Sequence, residues 1–153
     1  MKITDIKWIG RILKFAKEVG DWSKDQSTKV GAVITTMNGR PVSWGFNGFP
    51  MGTDDDIPER HERPLKYKWV CHAERNAMDL SPVNDLSGCV MFVTLSPCST
   101  CAQGIIQRKI STVVVDEPGS INNVPARWRE DMDVGYEMLK EAGVQYIVGR
   151  ADD

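Results

Sequence analysis

Val70-Cys71-His72-Ala73-Glu74 and Leu95-Ser96-Pro97-Cys98-Ser99-Thr100-Cys101 are the stretches on which the reading of this chain turns. His72, Cys98 and Cys101 are three nitrogen and sulfur donors, the usual set for a catalytic zinc with one position left open. Glu74 follows the histidine by two residues, close enough to touch whatever fills that position. The apolar run Cys89–Leu95 reads as a buried strand and 102–108 as a helix, so Pro97-Cys98-x-x-Cys101 spans a strand-to-helix turn. Cysteines three apart in a first helical turn share one side. Unpaired N–H groups and the positive dipole end favour thiolate there, and thiolate is the form that binds metal. His72 stands where a second helix, 73–80, begins. Two helix starts facing one metal across a sheet edge imply strand–helix units with the site at one end of the sheet.

C-x-x-C also occurs as a structural zinc knuckle or a redox pair. A structural site needs a fourth protein ligand, and the candidates are Cys71, Cys89 and His61. Cys71 adjoins His72 and points about 100° away from it on a helix. Cys89 starts a strand and reads as core; His61 lies in a charged loop and reads as solvated. A redox pair leaves His72 and Glu74 without a role.

Outward from the two motifs, the 153 residues suit one domain, 1–153, with a proper core. Hydrophobic residues at 41% and charged residues at 26% are ordinary for a soluble globular protein. A net charge of −2, with both signs mixed along the chain, gives no nucleic-acid footprint. Four cysteines without a signal peptide or an apolar span of membrane length imply a reducing, cytoplasmic setting and metal chemistry, not a disulfide framework.

The spacing predicts a first helix over 4–19, capped by Thr4 or Asp5 and ended by Gly20. Its apolar face carries Ile6, Ile9, Leu13 and Ala16, with Lys17 breaking it. Strands are expected at 30–35 and 41–46, joined by a hairpin turn at Asn38-Gly39. A long loop, glycine- and proline-rich over 47–52 and charged over 53–64, follows; loops of this kind are usually functional or mobile. Later come a strand at 112–115, an irregular loop over 117–129, a helix over 130–142 and a last strand at 144–148. The order α-β-β-α-β-α-β-α-β implies a three-layer α-β-α fold around a central mixed five-stranded sheet. The first two strands form an antiparallel hairpin and the rest are largely parallel.

Three segments, Trp22-Ser23-Lys24-Asp25 through Ala32, Gly45-Phe46-Asn47-Gly48-Phe49-Pro50, and Lys66-Tyr67-Lys68-Trp69-Val70-Cys71-His72-Ala73-Glu74, together with Phe92-Val93-Thr94-Leu95 before the cysteines, resemble the deoxycytidylate (dCMP) deaminases. The likeness runs in order through nearly the whole chain. H-A-E with P-C-x-x-C is the signature of zinc nucleobase deaminases in general. The loop around Asn47 and the residues leading into His72 narrow it to the dCMP branch.

The resemblance implies hydrolysis of dCMP to dUMP and ammonia, with Zn²⁺ on His72, Cys98 and Cys101. Zinc brings the pKa of bound water down from about 15.7 to about 7. Glu74, not itself a ligand, moves the water's proton to ring N3 and then helps ammonia leave C4. The pyrimidine carbonyl is held either by backbone near Cys98 or by the Ala73 N–H. Asn47 matches the sugar-holding position, and equally suits a turn asparagine. The 5′-phosphate falls to the loop 23–29, with Ser27, Thr28 and Lys29 as donors. Family members often cover the base with a tyrosine; none lies between Asp116 and Val134 here. Trp128 instead can stack on the base, be buried structure or meet another subunit. The resemblance also implies an effector site around Phe46, Gly48, Phe49, Gly52, Lys66 and Tyr67 at a subunit interface. Its ligands would be dTTP with Mg²⁺ as inhibitor and dCTP as activator, acting on a homohexamer. Asp54, Asp55 and Asp56 would order the loop or sit near the magnesium.

Two other classes share part of the pattern. A tRNA or other nucleic-acid deaminase keeps the zinc site but wants clustered Lys and Arg. A non-catalytic zinc-stabilised module keeps the ligands but has no need of Glu74.

Overall fold

The computed structural model describes residues 5–152. Helix α1, Ile6–Gly20, is capped by the Asp5 carboxylate, which accepts the Lys7 N–H; Thr4, the other expected cap, lies outside the described residues. Its buried stripe is Ile9, Ile12, Leu13, Ala16 and Val19, a rotation from the expected face that leaves Ile6 85% exposed and Lys17 in solvent. Lys17 therefore interrupts nothing.

Strands β1, Gly31–Thr35, and β2, Pro41–Phe46, form the hairpin, with Gly39 at φ 84° in its turn. Strands β3, Val90–Val93, β4, Thr112–Asp116, and β5, Gln145–Gly149, complete a five-stranded sheet of order β2-β1-β3-β4-β5. The strand β1 is antiparallel to both neighbours, whereas β3, β4 and β5 are mutually parallel. Both faces of the inner strands are buried, so they read as apolar runs without alternation. Val33, Val90, Phe92 and Val114 face α1, while Ala32, Met91, Val93, Val113 and Val115 face the opposite layer. That layer is built from α3, Ala73–Asp79, α4, Ser99–Gln107, and α5, Ala126–Glu141. The three-layer expectation holds.

Two boundaries differ from the sequence reading. The long 47–64 loop is interrupted by a 3-10 turn at Pro58–His61, and a single helical turn, α2, Lys66–Trp69, follows it. Helix α5 starts at Ala126, not at Glu130, so the expected loop over 117–129 ends a turn early. Pro125, extended at ψ 146°, precedes it; proline is favoured at helix starts because its missing N–H would be unpaired there anyway. Among the described residues, no helix is long and apolar enough to cross a membrane.

Candidate metal centre and active-site cavity

His72 is the residue before α3 and Cys98 the residue before α4. Both helices are seated by close backbone approach. A Cβ at Gly45 of β2 would lie 2.5 Å from the Ala77 nitrogen and 2.7 Å from the Ala73 carbonyl, so α3 rests directly on the strand. A Cβ at Gly135 of α5 would lie 2.8 Å from the Pro97 carbonyl and 3.0 Å from the Cys98 carbonyl. These contacts bring His72 Nδ1 to 3.3 Å from Cys98 Sγ and 3.4 Å from Cys101 Sγ. All three donor atoms lie within 4.8 Å of one another. Zn–N of about 2.0–2.1 Å and Zn–S of about 2.3 Å at a tetrahedral angle put nitrogen and sulfur about 3.5 Å apart. The donor set fits zinc in both chemistry and spacing.

The electrostatics agree. Hydrogen bonding to Cys98 raises His72 to about 9. Hydrogen bonds, first from Cys101 and then from His72, bring Cys98 down to about 4 despite its burial. The thiol of Cys101 is pushed up because it donates to that thiolate. The site thus favours thiolate at Cys98, and binding a cation releases the protons that remain on the donors. Glu74, 4% exposed, is raised to about 7 by burial, with the positive His72 opposing the shift. A buried carboxyl that holds its proton near neutrality suits a group that must both take and give one.

Beside these groups lies a cavity of about 390 Å³, within the usual range for small ligands. His72, Ala73, Glu74 and Cys98 line it, together with the apolar side chains of Leu95, Trp128 and Met132. Arg63, Lys66, Tyr67 and Arg127 supply cationic and hydroxyl groups elsewhere on its wall. Lys66 is held by Asp25, with Nζ 2.9 Å from one carboxylate oxygen and 3.1 Å from the other. Asp25 also accepts the Ser27 and Thr28 N–H groups. Burial pushes the Asp25 carboxyl up, but the Thr28 and Ser27 N–H groups and Lys66 together hold it below its ordinary value.

The lowered value means that Asp25 stabilises the fold above the ordinary aspartate pKa and loses that effect as pH falls through the folded value. Asp25→Asn leaves Lys66 buried without its partner, at a cost of about 3 kcal/mol, the low end of the range because the pair borders the cavity. Urea midpoints for wild type and Asp25→Asn should differ most near pH 7, draw together as pH falls below the ordinary aspartate pKa, and converge below the lowered folded value. A gap independent of pH contradicts this assignment.

The remaining predicted residues divide. Asn47 and Thr28 line the cavity, whereas Ser27 and Lys29 are exposed and do not line it. The Asn47 amide is already engaged: Oδ1 accepts the Val30 N–H at 2.9 Å and Nδ2 donates to the Thr28 carbonyl at 2.8 Å. It pins the 28–30 backbone and keeps one further N–H for a ligand. Trp128 both lines the cavity and packs with Ile121, Val124 and Met132, with Arg127 stacked 4.4 Å from its ring.

A second cavity, about 570 Å³, is lined by Trp44, Phe46, Gly48, Phe49, Cys71 and Asp79, among others. Phe46, Gly48 and Phe49 are therefore brought together. Lys66 and Tyr67 are not among them: α2 carries both onto the first cavity. Gly52, at φ 83°, is exposed in a turn and lines neither. Asp55 and Asp56 pair with Lys24, which orders the loop. His61 is not solvated as expected; it stacks on Phe49 at 4.6 Å and bonds the Asp55 carbonyl. The backbones of Gly48 and Cys71 exchange hydrogen bonds of 3.1 and 2.8 Å, so Cys71 faces away from the metal centre.

Sequence reasoning missed Asp25, Arg63, Ser96 and Asp131, all on the first cavity. Ser96 shares a 2.9 Å hydrogen bond with the Tyr146 hydroxyl, which accepts the Ile121 N–H. A usable signal existed for Asp131: with α5 begun just after Pro125, Trp128, Asp131, Met132 and Gly135 fall on one face at spacings of three and four.

Residues 6–117 match a family model described as the cytidine and deoxycytidylate deaminase zinc-binding region. An uncharacterised deaminase from the luxG 3′ region of Aliivibrio fischeri is 46% identical over 139 residues, 91% of each chain. The human deoxycytidylate deaminase is 42% identical over 97 residues, 60% of this chain and 54% of the human one. The chain thus spans nearly all of the former and about half of the latter. The dCMP deaminase of cyanophage S-TIM5, solved with dCMP and dUMP, superposes at a TM-score of 0.69 with 26% identity, over 90% of this chain and 93% of that one.

Proposed function

Because this chain belongs to the cytidine and deoxycytidylate deaminase family, we propose that it hydrolyses dCMP to dUMP and ammonia, supplying dUMP for thymidylate synthesis in the cytoplasm. The observation that carries the reading is buried Glu74 beside the His72, Cys98 and Cys101 cluster, on a cavity that also bears Arg63, Lys66 and Arg127. Zinc held there would supply Lewis-acid activation of the attacking water. Glu74 takes the water's first proton and carries it to ring N3 as the water oxygen bonds to C4. It then moves the second proton from that new hydroxyl to the amine, so that the C4–N bond breaks and ammonia leaves a C4 carbonyl. Leu95, Trp128 and Met132 take the base, with the Trp128 face stacking on it. Lys66, braced by Asp25, is the favoured phosphate cation, with Arg63 or Arg127 beside it.

The second cavity is the natural place for a regulatory nucleotide, with dTTP and Mg²⁺ inhibiting and dCTP activating a homohexamer. Its wall, with Phe46, Gly48, Phe49 and Cys71, adjoins Asn47 and His72 of the first cavity through the Gly48–Cys71 backbone bridge. Regulation requires the effector to bind one of two states better than the other.

The test is ammonia release from dCMP, CMP, deoxycytidine and an RNA hairpin, with dCTP and Mg²⁺–dTTP added in turn and mass read by light scattering. dCMP should be preferred, because deoxycytidine brings no anion to the cationic groups on the cavity wall. Equal turnover of deoxycytidine moves the chain to nucleoside chemistry, and turnover of the hairpin alone to nucleic acid. Hyperbolic kinetics indifferent to both triphosphates, from a monomer, reject the regulatory part only.

A further inference from the structure

The two metal-bearing helices start in an unusual way: the N-cap residues are His72 and Cys98, and neither side chain caps its own helix. A cap normally receives an orphan N–H on a side-chain oxygen. Cys98 is committed to His72 and Cys101 instead. The missing acceptor comes from another helix. Asp131 of α5 accepts the Ser99 backbone N–H at 3.0 Å on one carboxylate oxygen and the Ser99 hydroxyl at 2.6 Å on the other. One turn further along α5, Gly135 lies against the Pro97 and Cys98 backbone. Two points of α5 thus grip the Pro97–Ser99 segment.

We infer that Asp131 is a positioning residue that caps α4 from α5 and holds the Cys98 ligand, and the cavity wall carrying Trp128 and Met132, in fixed relation. The assignment rests on the zinc-centre reading above. Asp131 itself lines the cavity, so the same carboxylate ties a metal ligand to the wall that receives the base. Outer groups that orient metal ligands are worth about 10–100-fold in metal affinity or activity. The bidentate grip makes the link directional: a carboxylate accepts both Ser99 donors at once, an amide oxygen can take only part of the pair, and a methyl group takes neither.

Zinc release from the purified holoenzyme to a chromogenic chelator in excess reads this directly. Asp131→Ala should release zinc about 10-fold faster than wild type, and Asp131→Asn should fall between them because its amide oxygen still accepts the N–H. Ser99→Pro removes both donors while keeping a residue favoured in the first helical position, and Cys98 is already extended at ψ 173°, as a residue before proline should be. It should match Asp131→Ala, and the double variant should be no faster than either alone. Turnover in the same preparations should show KM for dCMP raised along with zinc release, since the wall moves with the ligand. Release rates unchanged in Asp131→Ala, or additive in the double variant, overturn the positioning role. A wild-type protein that holds no zinc at all overturns the zinc-centre reading and this inference with it, and is distinguished by metal analysis before the chelator is added.

Discussion

Glu74→Gln is expected to keep its zinc and lose dCMP deamination by at least about 10²–10⁴-fold, the range for removing one general acid–base group. The amide has nearly the carboxyl's size and fills the same buried position, so folding and metal content should survive. It cannot accept and return a proton, and here one group serves more than one transfer. Burial is what fits Glu74 for the task, because a carboxyl raised to about 7 can both take and give a proton near neutral pH. Single-turnover rates on zinc-matched wild type and variant are the measurement. Near-normal turnover by a zinc-loaded Glu74→Gln protein would sink the acid–base role.

Cys98→Ala should lose zinc by more than about 100-fold in affinity, beyond the usual effect of outer-shell changes, and activity with it. Cys98 is the donor whose thiolate form the site favours most, so its removal takes away the sulfur that meets least competition from protons. The same logic makes zinc retention weaken on acidification, as protons return to His72, Cys98 and Cys101. Cys71→Ser is the internal control, because Cys71 faces the second cavity and should leave zinc stoichiometry unchanged. Metal analysis after dialysis at pH 7 checks both variants. Full zinc in Cys98→Ala removes that residue from the ligand set.

The clustering of His72, Cys98 and Cys101 was legible because the motifs are local: Cys98 and Cys101 lie within one helical turn, and His72 and Glu74 at the first turn of another. Element types were legible for the same reason, since burial on one face or both leaves a periodic or continuous apolar pattern in the sequence. Partnerships between distant segments were not. Lys66 reaches Asp25 across 41 positions and Ser99 reaches Asp131 across 32, and no local periodicity encodes either. Lys66 and Tyr67 read as neighbours of Gly48 and Phe49 because the chain places them on one loop. The helical turn α2 instead carries both onto the other cavity. Asn47 read as a ligand or a turn residue, and only the folded chain shows its amide also holding residues 28–30. What the sequence by itself determined is the chemistry available and the local geometry that carries it. Only the tertiary structure decided which distant side chains share a cavity, because that depends on the packing of whole layers and not on the spacing within any one of them.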